Sequence, residues 1–276
     1  MSNSYDIVES VKKKKISELL TYDKRLDGRG LMDIRKITVE TGMIGTAAGS
    51  SLVSLGNTKV MTGIKIETGT PFPDKPKNGV LTTNVELTPL ASPNFEAGPP
   101  RENAIEMARV VDRGIRESKM VDLSKLCIDP GKLVFIVYVD IYVLNHDGNL
   151  FDAFTLSAVS ALLSSKMRKF TVKKNGELKF GKGYIKLPLK NYPVEISIGK
   201  IDDKMIVDPT LEEESVVDGL ITIAIGKGGE ICAMQKRKAG VFSVEEILLA
   251  ITIAQKKAEE IRTNILGELI VKNEKA

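Results

Sequence analysis

The sequence predicts an α+β protein made of two related halves, each a run of short strands followed by a long helix. Three observations carry this. Alternating or apolar runs suited to strands occupy residues 37–64, 80–87 and 133–144, and recur between 194 and 235. Apolar residues at helical spacing follow, beyond Pro100, Asp152 and Ser243. The chain has 276 residues, 42% hydrophobic and 28% charged, which is enough to bury a sizeable core.

Taken in order, Ile7 to Leu20 places Val8, Val11, Ile16, Leu19 and Leu20 around the run Lys12–Lys15. This predicts a short amphipathic helix with the lysines on its solvated face. Asp27-Gly28-Arg29-Gly30 is a turn. Ile37–Val39 opens a β-rich stretch, and Ser51–Leu55 and Lys59–Ile64 flank Gly56-Asn57 as a hairpin. Pro71–Gly79 is a loop, and Val80–Leu87 alternates again. Proline before Arg101 suits a helix start. Ala104, Ala108, Val111 and Ile115 then form one apolar face. Leu133–Leu144 is apolar on both faces except for Asp140 and the tyrosines, which predicts the centre of a sheet. A helix rich in Ala, Leu and Ser is expected over Asp152–Met167. Lys169–Lys186, basic and glycine-containing, is expected as an exposed hairpin at a junction between halves.

The second half repeats the plan. Val194–Ile201, Met205–Val207, Gly219–Ile225 and Ile231–Gln235 are its strands. Ser243 and Glu246 have the spacing of a capping box. Ile247, Ile251, Ala254, Ala258, Ile261 and Ile265 keep one stripe facing the core.

Several chemistries are excluded or reduced. The net charge of +4 requires any nucleic-acid site to be a local patch. The single histidine, His146, lies in the turn-forming cluster Asn145–Asn149 and is expected to be solvated, so a histidine-based triad or multi-histidine metal site does not fit. Cys127 and Cys232 are far apart and are expected as buried free thiols. No metal or cofactor is expected. Met1–Ser10 is polar with no apolar signal core, and no apolar run approaches the roughly 18 residues of a membrane span. A cytoplasmic protein that does not enter a membrane is the expectation.

Three features could carry chemistry. Arg109, Arg113 and Arg116 fall within an arc of roughly 60° at about 100° per residue, opposite the apolar face. Such a stripe can grip successive phosphates through bidentate bonds, or be a solvated face trimmed by Glu106 and Asp112. The run Glu212–Glu214 with Asp218 suits an exposed turn better than a carboxylate site. Gly226-Lys227-Gly228-Gly229 has the letters of a nucleic-acid-binding GXXG clamp, but the flanking strands favour a hairpin turn.

Residues Asn84–Leu90, Phe95–Pro100 and Glu102–Arg113 resemble the RNase PH family, and within it the larger, non-catalytic ring subunits of archaeal exosomes. Asp27–Arg29, Gly49–Gly63, Val139–Leu144, Asp147–Asn149, Asp152-Ala153 and Tyr192–Val194 extend the likeness over about residues 25–265. The resemblance implies two β-α halves of the ribosomal-S5-domain-2 type, with an extension over 1–24, a first half over 25–168 and a second over 190–270. It implies an assembly that degrades RNA from the 3′ end by phosphorolysis. It also implies partners: a catalytic RNase PH-type subunit, in a hetero-hexameric ring of three pairs, RNA-binding cap subunits, and single-stranded RNA.

Departures from the active pattern set the expected role. Active members place a Gly-Ser/Thr-Arg turn at the start of the helix after the long strand, and Phe154, Thr155 and Leu156 are matched to it here. Of the catalytic acidic pair, Glu214 matches the first and Leu220 the second. Glu102 and Asn103 replace two RNA-gripping arginines. The expectation is therefore no catalytic residue in this chain, with RNA bound by Arg109, Arg116 and Arg113. The alternative is an active phosphorolytic 3′–5′ exoribonuclease of the same fold that uses Glu214. A small-molecule kinase relative would need a glycine-rich phosphate loop before a helix, which the sequence lacks.

Overall fold

The computed structural model describes residues 2–172 and 178–274. Helix α1 (Ser2–Thr21) opens the chain, longer at its N-terminal end than the apolar spacing predicts. Its Ile16 and Leu20 are buried in a small satellite core with Ile201, Ile206, Val216, Val217 and Leu220. Lys13 pairs with Asp218 at 2.5 Å, while Lys12, Lys14 and Lys15 are exposed.

Strands β1 (Ile37–Thr41), β2 (Gly49–Leu55), β3 (Thr58–Gly69), β4 (Val80–Leu87), β5 (Cys127–Asp129) and β6 (Leu133–Asn145) form the first sheet. Its order is β1-β2-β3-β6-β4, with β5 added at the start of β6. Only β4 runs parallel to its neighbour. The β2–β3 hairpin turns at Gly56, whose φ of +57° suits a residue without a Cβ. β6 is central, as its sequence implies, but beyond Phe135 the buried residues, Val137, Val139, Ile141 and Val143, lie on one face. Tyr138, Asp140 and Tyr142 on the other face remain partly open.

Helix α2 (Glu102–Glu117) packs on β4, and α3 (Leu150–Ser164) packs on β2 and β3. All residues of α3 up to Leu163 are buried, because a second sheet covers its other side. That double burial explains its small residues. Ser157 shares hydroxyl contacts with Ser51 and Thr62, and a Cβ on Gly49 would sit 2.6 Å from the Ala161 carbonyl. The helix starts before Asp152 and ends before Met167. Met167 instead belongs to β7 (Lys166–Val172), which pairs with β8 (Leu178–Lys186) as the expected basic hairpin. Residues 173–177 of that hairpin reading lie outside the described residues.

The second sheet comprises β9 (Val194–Ile201), β10 (Lys204–Val207), β11 (Gly219–Ile225) and β12 (Ile231–Arg237), in the order β10-β9-β11-β12 and antiparallel throughout. One face meets α3. The other meets α5 (Val244–Ile261), whose Ala250, Ala254 and Ala258 are completely buried. The Ser243–Glu246 capping box forms at its start. The stripe does not continue as one helix: a π-helical turn at Arg262–Leu266 leads into α6 (Gly267–Glu274). Arg262 lies buried in that turn and bonds the carbonyls of Tyr192, Ile225 and Gly226.

The run Glu212–Glu214 is not an exposed loop. It lies in α4 (Leu211–Val216), started by a capping box between Thr210 and Glu213. The layers are thus first sheet, α2 with α3, second sheet, and α5.

Candidate functional site

The arginine helix α2 buries Ala104, Val110, Val111, Gly114 and Ile115, while Ala108 is only partly covered. Its three arginines diverge. Arg109 and Arg113 are exposed. Arg116 is half-buried, with Nε and an Nη each 2.9 Å from the Asp112 carboxylate and a further bond to the Leu81 carbonyl at 3.0 Å. Arg116 is therefore largely an internal tie between α2 and β4, the trimmed-face alternative for that residue. Glu102 and Asn103 stand exposed at the helix start.

The start of α3 is the second focus, because free amides and the helix dipole there attract anions. The helix begins at Leu150, so Phe154, Thr155 and Leu156 lie a full turn inside it, at 0%, 0% and 4% exposure. They cannot form a turn that meets phosphate, so the Gly-Ser/Thr-Arg turn does not fall at Phe154, Thr155 and Leu156 as the sequence suggests. The residues at the helix start are Asn149, Leu150 and Phe151. Asn149 has φ +52° and ψ +51°, the left-handed conformation in which glycine is at ease. Neither Leu150 nor Phe151 supplies a charge, and both are buried.

The position for an anion is already filled. Glu214 accepts the Asn149 backbone N–H at 3.1 Å, and burial raises its pKa despite the charges of Arg237 and Arg35. The Arg237 guanidinium lies 3.9 Å above the Phe151 ring centroid. Burial holds Arg237 below its usual range, partly offset by Glu214. Leu220, matched to the second acid, is sealed in the satellite core under α1.

A polar seam runs inward from this point. Asn149, Asp152 and Thr155 recur at helical spacing along the α3 face turned to the second sheet. Asp152 accepts from the Asn149 side chain (2.8 Å), the Ser197 amide (3.0 Å) and the Ser197 hydroxyl (2.7 Å), and Ser197 meets Thr222 at 2.8 Å. Glu195, on the same face of β9 as Ser197, is fully enclosed, and neither of its carboxyl oxygens has a hydrogen-bond partner. The Thr155 hydroxyl lies near enough to favour its ionised form, yet outside hydrogen-bond geometry. Burial pushes Asp152 up to about 7 and Glu195 up to about 8. A narrow crevice between α2 and β12 is lined by Glu195, Arg113, Met234 and Gln235.

Next to the seam, buried ion pairs join the start of the first half to the second half. Asp208 is completely buried and accepts from Arg35 (2.7 and 2.9 Å), Arg29 (3.0 Å) and Asn149 (2.7 Å). Arg25 binds Glu213 through two nitrogens and also bonds the Val207 and Asp208 carbonyls. Against the upward push of burial, the Arg25 bonds and charge hold Glu213 below its usual range.

The remaining candidates are structural. His146 is half-buried against the Phe95 ring at 5.3 Å rather than solvated, and burial lowers its pKa. Cys127 and Cys232 are free but half-exposed, not buried. Gly226–Gly229 is the β11–β12 turn. Among the described residues, no group of three or more His, Cys, Asp or Glu could hold a metal ion. No described helix is long and apolar enough to cross a membrane.

Sequence reasoning missed Asp152, Glu195, Asp208 and Arg237. Period-two spacing of Glu195 and Ser197, and the i, i+3 repeat of Asn149, Asp152 and Thr155, was the available signal. Arg237 was masked by its basic neighbours Lys236 and Lys238.

Residues 33–168 match domain 1 of the 3′ exoribonuclease family RNase PH, and residues 191–257 match its domain 2. The chain is 50% identical to the exosome complex component Rrp42 of Pyrococcus furiosus over 98% of this chain and 97% of that protein. It is 43% identical to the Rrp42 component of Methanopyrus kandleri, over 96% and 99%. Among solved structures, a chain of the Archaeoglobus fulgidus exosome with RNA bound to the active site superimposes with a TM-score of 0.83 at 41% identity, covering 93% of this chain and 98% of that one. A chain of an archaeal exosome core gives 0.81 at 37% identity, over 94% and 98%.

Proposed function

The chain belongs to the RNase PH family of 3′ exoribonucleases, and from that premise we propose that it is a ring subunit of an exosome that performs no phosphorolysis itself. It pairs with a catalytic RNase PH-type subunit, three such pairs close a ring, and RNA-binding cap subunits deliver single-stranded RNA. A heterologous interface that closes gives a ring rather than a filament. The two halves act as one unit over residues 25–168 and 190–270, with residues 1–24 as an extension. The assembly works in the cytoplasm.

The observation that carries the non-catalytic reading is the Glu214 carboxylate on the Asn149 amide. Phosphorolysis needs inorganic phosphate to be held where it can attack the last phosphodiester linkage. At this helix start a carboxylate sits where the anion would bind, and a phenylalanine stands where an arginine would reach it. A phosphate dianion would have to displace one buried negative charge beside another, Asp208. Losing such an electrostatic clamp costs on the order of a hundredfold or more in rate. Leu220 removes the second carboxylate as well.

The chain's direct contribution is to hold RNA. Arg109 and Arg113 project from α2 into solvent and supply bidentate donors for phosphates. Arg116 contributes less, because Asp112 already neutralises it. The test is nucleoside diphosphate release from single-stranded RNA plus phosphate. The isolated chain should release none, and its complex with the catalytic sister should be active. Turnover by the isolated chain would instead favour the active-enzyme alternative, with Glu214 as its acid.

A further inference from the structure

A broad cleft to which α2 contributes no lining residue lies between the open face of the first sheet and the β7–β8 hairpin. It encloses about 1200 Å³. One wall carries Lys65, Asp140 and Tyr142 from β3 and β6, and the other carries Lys166, Arg168, Phe180 and Tyr184 from the hairpin.

The hairpin carries this second wall on two paired segments, separated by a register shift between Arg168 and Phe170. Lys166 opposes Lys186, Arg168 opposes Tyr184, and Phe170 opposes Phe180 across the two strands. Within each segment cross-strand partners project to the same side, so Arg168 lies beside Tyr184 and Phe170 beside Phe180. Phe170 anchors it by packing edge-on against Phe135 of β6, with ring centroids 4.8 Å apart. The outer rings are not used in packing: Phe180 is 47% exposed and Tyr184 61%. Exposed apolar residues are common singly, but rings grouped along one cleft mark a surface for binding.

We propose that this cleft is a second binding site for single-stranded RNA, in which bases stack on Phe180 and Tyr184 while Lys166 and Arg168 hold the flanking phosphates. Stacking on exposed rings beside cations recognises single strands with little sequence preference, because every base presents a π face. The opposite wall fits the same ligand. Lys65, paired with Glu67 at 2.7 Å and 5.9 Å over the Tyr138 ring, leaves the cations of the hairpin as the phosphate donors, and Asp140, which burial pushes above its usual range, offers a hydrogen-bonding edge on this wall. An acidic peptide would match the cations but leave the two rings without a purpose. The proposal rests on the reading of the chain as an RNA-degrading ring subunit and adds a site to which the arginine helix contributes no lining residue.

The experiment uses the assembled complex and fluorescently labelled oligouridylate long enough to reach beyond the channel. Affinity is measured for wild type, Phe180→Ala/Tyr184→Ala, Tyr184→Phe, Arg168→Ala and Arg109→Ala, with assembly checked by size-exclusion chromatography. The double alanine variant should bind roughly tenfold more weakly or worse and still assemble. Tyr184→Phe should bind like wild type, and Arg168→Ala should reduce the salt slope by about 0.7. Unchanged RNA affinity in the double variant overturns the proposal, and lost assembly with unchanged affinity would identify the cleft as a subunit interface. A wild-type complex that binds no RNA would remove the functional reading as well, whereas an effect of Arg109→Ala alone would leave that reading intact and remove only this site.

Discussion

Replacing Glu195 by glutamine should stabilise the protein at alkaline pH and leave it nearly unchanged at acidic pH. The carboxyl is fully enclosed, lacks any hydrogen-bond partner, and has its pKa raised by burial from 4.5 to about 8. Asp152 opposes its ionisation and Arg237 favours it. Between those two values the native protein retains a proton that the unfolded chain has released, so stability falls as pH rises through the window. At about 1.4 kcal/mol per pH unit the ceiling is on the order of 5 kcal/mol, and water entry or a shift of Arg113 into the crevice reduces it to about 1–3 kcal/mol. Glutamine has nearly the shape of the protonated acid and no charge to lose. The assay is urea unfolding of wild type and Glu195→Gln at pH 5 and pH 8.5. The variant should match wild type at pH 5 and exceed it at pH 8.5. A constant difference between the two proteins would show that Glu195 ionises freely in the fold and would refute the reasoning.

Other outcomes follow from the same contacts. Asp208→Asn should cost about 3–5 kcal/mol in chemical unfolding, because it leaves Arg35 and Arg29 facing a neutral group in a buried network. Arg109→Ala with Arg113→Ala should weaken RNA binding by the complex uniformly across sequences and lower the salt slope by about 0.7 per lost phosphate contact; Arg116→Ala should show in thermal stability more than in affinity. Gly114→Ala places a Cβ 2.7 Å from a Glu195 oxygen and should cost about 1–3 kcal/mol, with part of that loss recovered in a Glu195→Ala background, as a double-mutant cycle in unfolding free energy would read.

Most of the architecture was legible because burial imposes periodicity. The strands of both sheets alternate, or run apolar where two layers cover them, and the Ser243–Glu246 pair declares its helix start. The site was harder. Helix α3 is apolar almost all round, so its beginning carries no amphipathic edge, and only the Asn149 conformation fixes where the anion-binding turn stands. That ambiguity shifted the matched residues from Asn149–Phe151 to Phe154–Leu156. The acidic run looked solvated because three consecutive glutamates usually are. Glu212 does stay exposed, but the covering of Glu213 and Glu214 depends on Arg25 and Asn149, which are distant in sequence and reach them only once both halves are folded together. The arginine stripe was visible as spacing, but the loss of Arg116 to Asp112 depended on side-chain geometry.

The non-catalytic role requires that the start of α3 have no room for an anion. The most direct measurement follows the Asn149 amide resonance by NMR while inorganic phosphate is added to the purified chain. With Glu214 holding that amide, the resonance should not move in a saturable way. Saturable movement, enhanced by Glu214→Gln, would mean that phosphate displaces the carboxylate and that the chain retains the first requirement of a phosphorolytic enzyme.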